Sequence, residues 1–104
     1  MRYRDVFDEI VGMVSRELPV DKVAYDGGDT FIHEGVGIFI PVDENDVYDW
    51  WDKREKAEKL VEAIMRLLRE RGLERKSIVS LLEHVFKTTM PHRVIEIKVT
   101  IFKW

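Results

Sequence analysis

The residues best suited to chemistry in this 104-residue chain crowd around one glycine turn. Asp26 and Asp29 flank Gly27-Gly28, and His33 and Glu34 follow a few positions later. Carboxylates and an imidazole at that spacing are donors of the kind that hold a divalent ion, and such an ion can activate water against a phosphodiester. The same residues have an ordinary reading, because Asp favours the positions beside a Gly-Gly turn. Metal-dependent hydrolysis therefore ranks third among the functional readings, and neither a metal nor a cofactor is assigned.

Other catalytic patterns are missing or weak. Gly27-Gly28 is too short for a phosphate-binding loop and is followed by a strand pattern, so neither a P-loop nor a dinucleotide fingerprint fits. Serine occurs only at Ser15, Ser77 and Ser80, all within helix-like patterns, which argues against acyl transfer. With no cysteine there is no disulfide framework, thiol catalysis or Cys-ligated zinc. Glu96-Ile97-Lys98 has the acid-x-lysine spacing of metal-dependent nucleases. Any exposed pair two apart in an alternating strand shares it, and no further helix and strand follow as that core requires. His84 and His92 read as structural histidines, and an enzyme is not the expectation.

The elements that must position these residues are organised around the stretch from Trp50 to Gly72. Ala57, Leu60, Val61, Ile64, Leu67 and Leu68 recur with a helical period, Asp49 is a candidate N-cap, and Gly72 is the expected left-handed stop. Tyr3, Val6, Phe7, Ile10, Val11, Val14 and Leu18 form another helical stripe, ended by Pro19. Short strands are predicted over 22–25, 30–33 and 36–40, with reversals at Gly27-Gly28 and Glu34-Gly35 and a stop at Pro41. Gly37 inside the third of these suggests a bulge or a close backbone approach. Ile78, Val79, Leu81, Leu82, Val85 and Phe86 predict a third helix from about Glu74 to Lys87, ended by Thr88-Thr89-Met90-Pro91. Arg93 to Lys103 alternates strictly and predicts a strand.

The order read is α-β-β-β-α-α-β, in one α+β domain over residues 1–104. The expected architecture is a two-layer sandwich, an antiparallel-rich four-stranded sheet with helices on one face. Eleven residues of the last strand span roughly 36 Å, well beyond its short neighbours. The pattern does not fix whether this strand lies at the edge of the sheet or between others. As an overhanging edge ending in Phe102 and Trp104 it would pair with a second chain in a homo-oligomer, and the equal alternative is that both aromatics fold back over the third helix.

Charge is distributed unevenly. No Lys or Arg lies between Val23 and Asp52, against eight acids, whereas 13 bases face 7 acids from Lys53 to Trp104. Glutamine is absent and asparagine occurs once, the composition expected of a protein from a thermophile or its mobile element. No apolar run approaches a membrane span and the N-terminus does not read as a signal peptide, so a cytoplasmic location is expected.

Two groups of residues favour binding over catalysis. Tyr48, Trp50 and Trp51 sit among acids, and adjacent helical residues point about 100° apart, so one tryptophan faces the core and the other outward. Arg66, Arg69, Arg71, Arg75 and Lys76 make a basic ridge that could neutralise phosphates, with Glu62, Glu70 and Glu74 interleaved. The helix, three strands and helix through residue 72, with Lys53, Arg54 and Lys56 at the second helix start, superficially resemble a double-stranded-RNA-binding domain. The acidic approach from Asp43 to Asp52 would repel phosphate, and the extra helix and strand are foreign to that family, so no family is assigned. The leading expectation is a non-catalytic, self-associating interaction protein whose partner is itself or another protein. Nucleic-acid binding through the basic ridge is the alternative.

Overall fold

The strict alternation from Arg93 to Lys103 does form a strand, and it lies inside the sheet, not at its edge. The computed structural model describes residues 2–27, 32–86 and 92–103. Its elements are α1 (Tyr3–Glu17), β1 (Lys22–Asp26), β2 (His33–Val42), α2 (Val47–Glu70), a 3-10 turn (Glu74–Lys76), β3 (Ser77–Phe86) and β4 (His92–Phe102). All pairings are antiparallel, in the order β1-β2-β4-β3, and both helices pack on one face. The fold is the expected α+β sandwich, with two helices where three were predicted.

Alternation sorts the side chains into two layers. Val36, Ile38, Ile40 and Val42 of β2 and Ile95, Ile97, Val99 and Ile101 of β4 point to the helices and are buried. Val6, Phe7, Ile10 and Val14 of α1 and Ala57, Leu60, Ile64, Leu67 and Leu68 of α2 close on them as the helical stripes require. Leu18 caps α1 in an extended conformation (φ −139°, ψ 148°), as a residue before proline prefers. Gly72 ends α2 with φ +71°, while the Leu73 amide reaches back to the Leu68 carbonyl at 2.8 Å.

Three sequence expectations are corrected. The third helix is instead a short 3-10 turn and β3. Its apolar residues fit a helical period, but they also split into Ile78, Ser80, Leu82 and His84 on one face and Val79, Leu81, Glu83 and Val85 on the other. The β-branched residues favour the strand, and ten pairs with β4 decide it. The two strands predicted around Glu34-Gly35 are one strand, β2, because Gly35 is a paired residue between Asp26 and Thr100. With two strands between the helices among the described residues, where three were read, the likeness to the RNA-binding domain lapses. Finally, β4 is paired along both sides, so it offers no overhang for a second chain. The strand assignment at Thr30, the helix end at Thr88–Pro91 and Trp104 lie outside the described residues.

Pro41 does not break β2, for a local reason. The Asp21 amide bonds the Phe39 carbonyl at 2.7 Å, so odd-numbered backbone groups of β2 face β1. Residue 41 lies past the end of β1, where no ladder donor is needed. Its carbonyl accepts instead from Lys53 Nζ at 2.6 Å, tying β2 to α2. The strand order also reads the same from either edge when α1-β1-β2 is exchanged for α2-β3-β4. The fold is thus a pair of α-β-β halves about a pseudo-twofold axis between β2 and β4. Ile38 and Ile97, paired at that axis and fully buried, are its keystone. Ile97→Ala is expected to cost about 2–5 kcal/mol in urea denaturation, the range for a buried aliphatic truncation.

Candidate functional site

The described members of the glycine-turn constellation, Asp26, His33 and Glu34, do not converge on one point. Asp26 and His33 share the uncovered sheet face, with His33 Nε2 and Asp26 Oδ2 3.8 Å apart. Alternation sends Glu34 to the helix side, where it accepts from the Tyr25 hydroxyl at 3.1 Å and pairs with Lys103. Asp29 lies outside the described residues. Among the described residues no three potential ligands come together to hold a metal ion. Partial burial, followed by the Glu34 hydrogen bond and charge, raises the Tyr25 phenol pKa above its ordinary value.

The acidic loop and the head of α2 make a more definite site. Asp46 caps α2, accepting from the Tyr48 amide at 3.0 Å, so the helix begins one turn earlier than predicted. Asp43 accepts the Asn45 amide at 2.9 Å through its side chain and the Asp46 amide at 3.2 Å through its carbonyl. Asp49, now in the first turn, pins the loop from below. It accepts the Asp43 amide at 2.8 Å and pairs with Lys53 at 3.0 Å. The backbone amide first, then Lys53, hold its carboxyl below the usual value, with burial opposing them.

This scaffold places three large side chains in water on one helical turn. Val47 is 66% exposed, Tyr48 85% and Trp51 61%. Trp50 turns the other way as the helix geometry requires, packs against the core, and meets the Trp51 ring edge-on with centroids 4.6 Å apart. Arg54 and Arg93 lie 5.7 and 5.6 Å from the Trp50 ring. Arg93 Nε also donates to Glu83 at 2.7 Å. A cleft of about 210 Å³ opens beside this tryptophan, lined by Asp43, Glu44, Asp46, Val47, Trp50 and Arg93. The Trp50 indole Nε1–H is buried with no acceptor among the described residues.

The remaining candidates are dispersed. Arg66, Arg69, Arg71, Arg75 and Lys76 all lie toward the end of α2 and the 3-10 turn. Arg71 is held by both Glu9 oxygens (3.0 and 2.9 Å) and Arg69 by Glu74 at 3.3 Å. Phe102 lies half-buried on the uncovered sheet face, its ring 6.5 Å from that of His33. Sequence reasoning passed over a polar cluster there, Glu96, His84 and Lys98. Glu96 and Lys98 were visible as an acid-x-lysine pair, but His84 reaches Glu96 only because residues 77–86 are a strand.

No family model, curated protein or solved structure matches this chain. The site therefore rests on its own geometry.

Because the folded state lowers the Asp49 pKa, its contribution to stability is present above the unfolded value of about 3.9 and is lost as pH falls through the folded value. Urea midpoints measured at neutral pH and below about pH 4 are expected to show a smaller acid-induced loss for Asp49→Asn than for the parent. At neutral pH Asp49→Asn is the less stable of the two.

Proposed function

We propose that the protein is an interaction module whose acidic, aromatic helix head docks a basic segment of a partner protein. The observation that carries this reading is the exposure of Val47, Tyr48 and Trp51 on one turn framed by Asp43, Glu44, Asp46 and Asp52. A partly sheltered tryptophan cleft among carboxylates suits an Arg or Lys side chain, while Tyr48 and Trp51 supply aromatic anchors. A backbone carbonyl of the partner could accept from the Trp50 indole. Nothing in the fold needs Tyr48 or Trp51 for its core.

Titration with a Lys/Arg-rich amphipathic peptide, followed by tryptophan emission, tests the reading. Trp51→Ala is expected to weaken binding by about 30-fold, the scale of an aromatic anchor. Glu44→Lys should weaken it further at low salt. Equal binding of an acidic peptide, or unchanged affinity in Trp51→Ala, would sink the proposal. DNA and RNA in the same assay address the basic ridge.

Self-association is favoured by a different strand from the one the sequence suggested. β3 is a ten-residue edge without proline, Lys or Arg, and it leaves Ile78 56%, Leu82 41% and Val85 55% exposed. The opposite edge, β1, is half as long and bounded by Lys22 and Asp26. Antiparallel pairing of β3 with β3 of a second copy would join two sheets through a self-complementary edge. Sedimentation is expected to give a dimer for the parent and a monomer for Leu82→Lys, whereas a monomeric parent at high concentration refutes this assembly.

A further inference from the structure

The uncovered face of the sheet holds a cleft of about 320 Å³ whose polar groups are arranged around a glycine. Cross-strand register aligns Ala24, Gly37, Lys98 and Ser80 in one row across the four strands. The adjoining rows are Asp26, Gly35, Thr100 and Ile78 on one side and Lys22, Phe39, Glu96 and Leu82 on the other. Small residues make the floor, with His33 and Phe102 at one end and Glu96 at the other.

Glu96 is the unusual member. Its side chain is only 10% exposed, although it sits on the face that carries no helix. His84 Nε2 contacts its Oε2. Its other oxygen, Oε1, lies 2.7 Å from where a Cβ on residue 37 would stand, so the glycine provides the space the carboxylate occupies. Oε1 has no donor among the described residues, and it stands over Gly37, which with Glu96 lines the open cleft. Lys98 stands two residues along the same strand face, about 7 Å away by strand geometry. Among the described residues it forms no ion pair, and none with Glu96 in particular. A buried carboxylate with a free oxygen therefore sits near an ammonium that does not neutralise it.

We infer that this cleft binds a small zwitterion of the amino-acid class. The ligand ammonium donates to Glu96 Oε1 and its carboxylate meets Lys98 Nζ, and the two opposite charges of one small molecule match the two groups on β4. The side chain of the ligand extends along the glycine floor toward Phe102 and His33. His84 acts as a positioning residue, holding Oε2 so that Oε1 stays turned toward the cleft. This site is independent of the helix head and stands or falls separately from it.

Backbone amide chemical shifts of the full chain, titrated with glycine, L-phenylalanine, acetate and methylammonium to about 10 mM, test the inference at the weak affinities small ligands show. The two amino acids are expected to move the amides of residues 35, 37, 96 and 98, and acetate and methylammonium to leave them unmoved. Lys98→Met removes an exposed side chain and should weaken amino-acid binding at least tenfold without unfolding the protein. Gly37→Ala should abolish it by displacing the carboxylate. Unmoved amides with both amino acids, an equal response to acetate or methylammonium, or full binding by Lys98→Met would each overturn the assignment.

Discussion

The double pairing of β4 is the constraint on which the rest of the molecule depends. Eleven residues run between β2 and β3, and the nine from Arg93 to Ile101 must each satisfy two neighbours as well as one of two faces. Ile95, Ile97, Val99 and Ile101 take the helix side and set the plane on which both helices rest. Their alternates, Glu96, Lys98, Thr100 and Phe102, are committed by the same pleat to the uncovered face. A one-residue slip would exchange the sets and place a glutamate and a lysine in the core, so the register is tightly specified. The cleft is therefore a by-product of the same alternation that builds the core.

Along α2 the charge pattern has two causes that separate cleanly. Acids near the first turn and bases near the last are what a helix dipole favours; Asp46, Asp49 and Arg69 have local partners, and Arg71 pairs with Glu9 of α1. That much needs no binding partner. The exposure of Val47, Tyr48 and Trp51 has no such local reason, because neither capping nor packing calls for them. Their position at the acidic end of a helix about 36 Å long, far from the basic end, gives the molecule two chemically distinct poles.

Legibility in the sequence followed the strength of periodicity. α1, α2 and β4 each present one apolar face and one polar face, and these were readable to within a turn or better. β3 was not, because an edge strand apolar on both faces fits a period of 3.6 as well as a period of 2, and only its partner strand breaks the tie. Glu34-Gly35 and Pro41 looked like interruptions because turn chemistry is judged locally. In the sheet, Gly35 takes a paired position and Pro41 falls just past the last residue of β1. That one of the two adjacent tryptophans must turn outward was legible from helix geometry, whereas the choice of Trp51 needed the packing of Trp50 against the core. The Glu96 pocket was not, since its parts come from three strands and one of those was read as a helix.

The two-halved topology also bears on how the chain finds its structure. The innermost pair of the second hairpin, Phe86 and His92, closes across six positions, whereas the nearest pair joining the halves, Val42 and Arg93, closes across 51. Loop-closure entropy alone separates those events by about 2 kcal/mol. Each hairpin thus closes at a lower entropic cost within its own half than the pairing of β2 with β4 that joins the halves. Because that pairing aligns ten residues of each strand at once, the larger entropic cost falls at the seam of the pseudo-twofold axis, where the chain must match two surfaces built far apart in sequence.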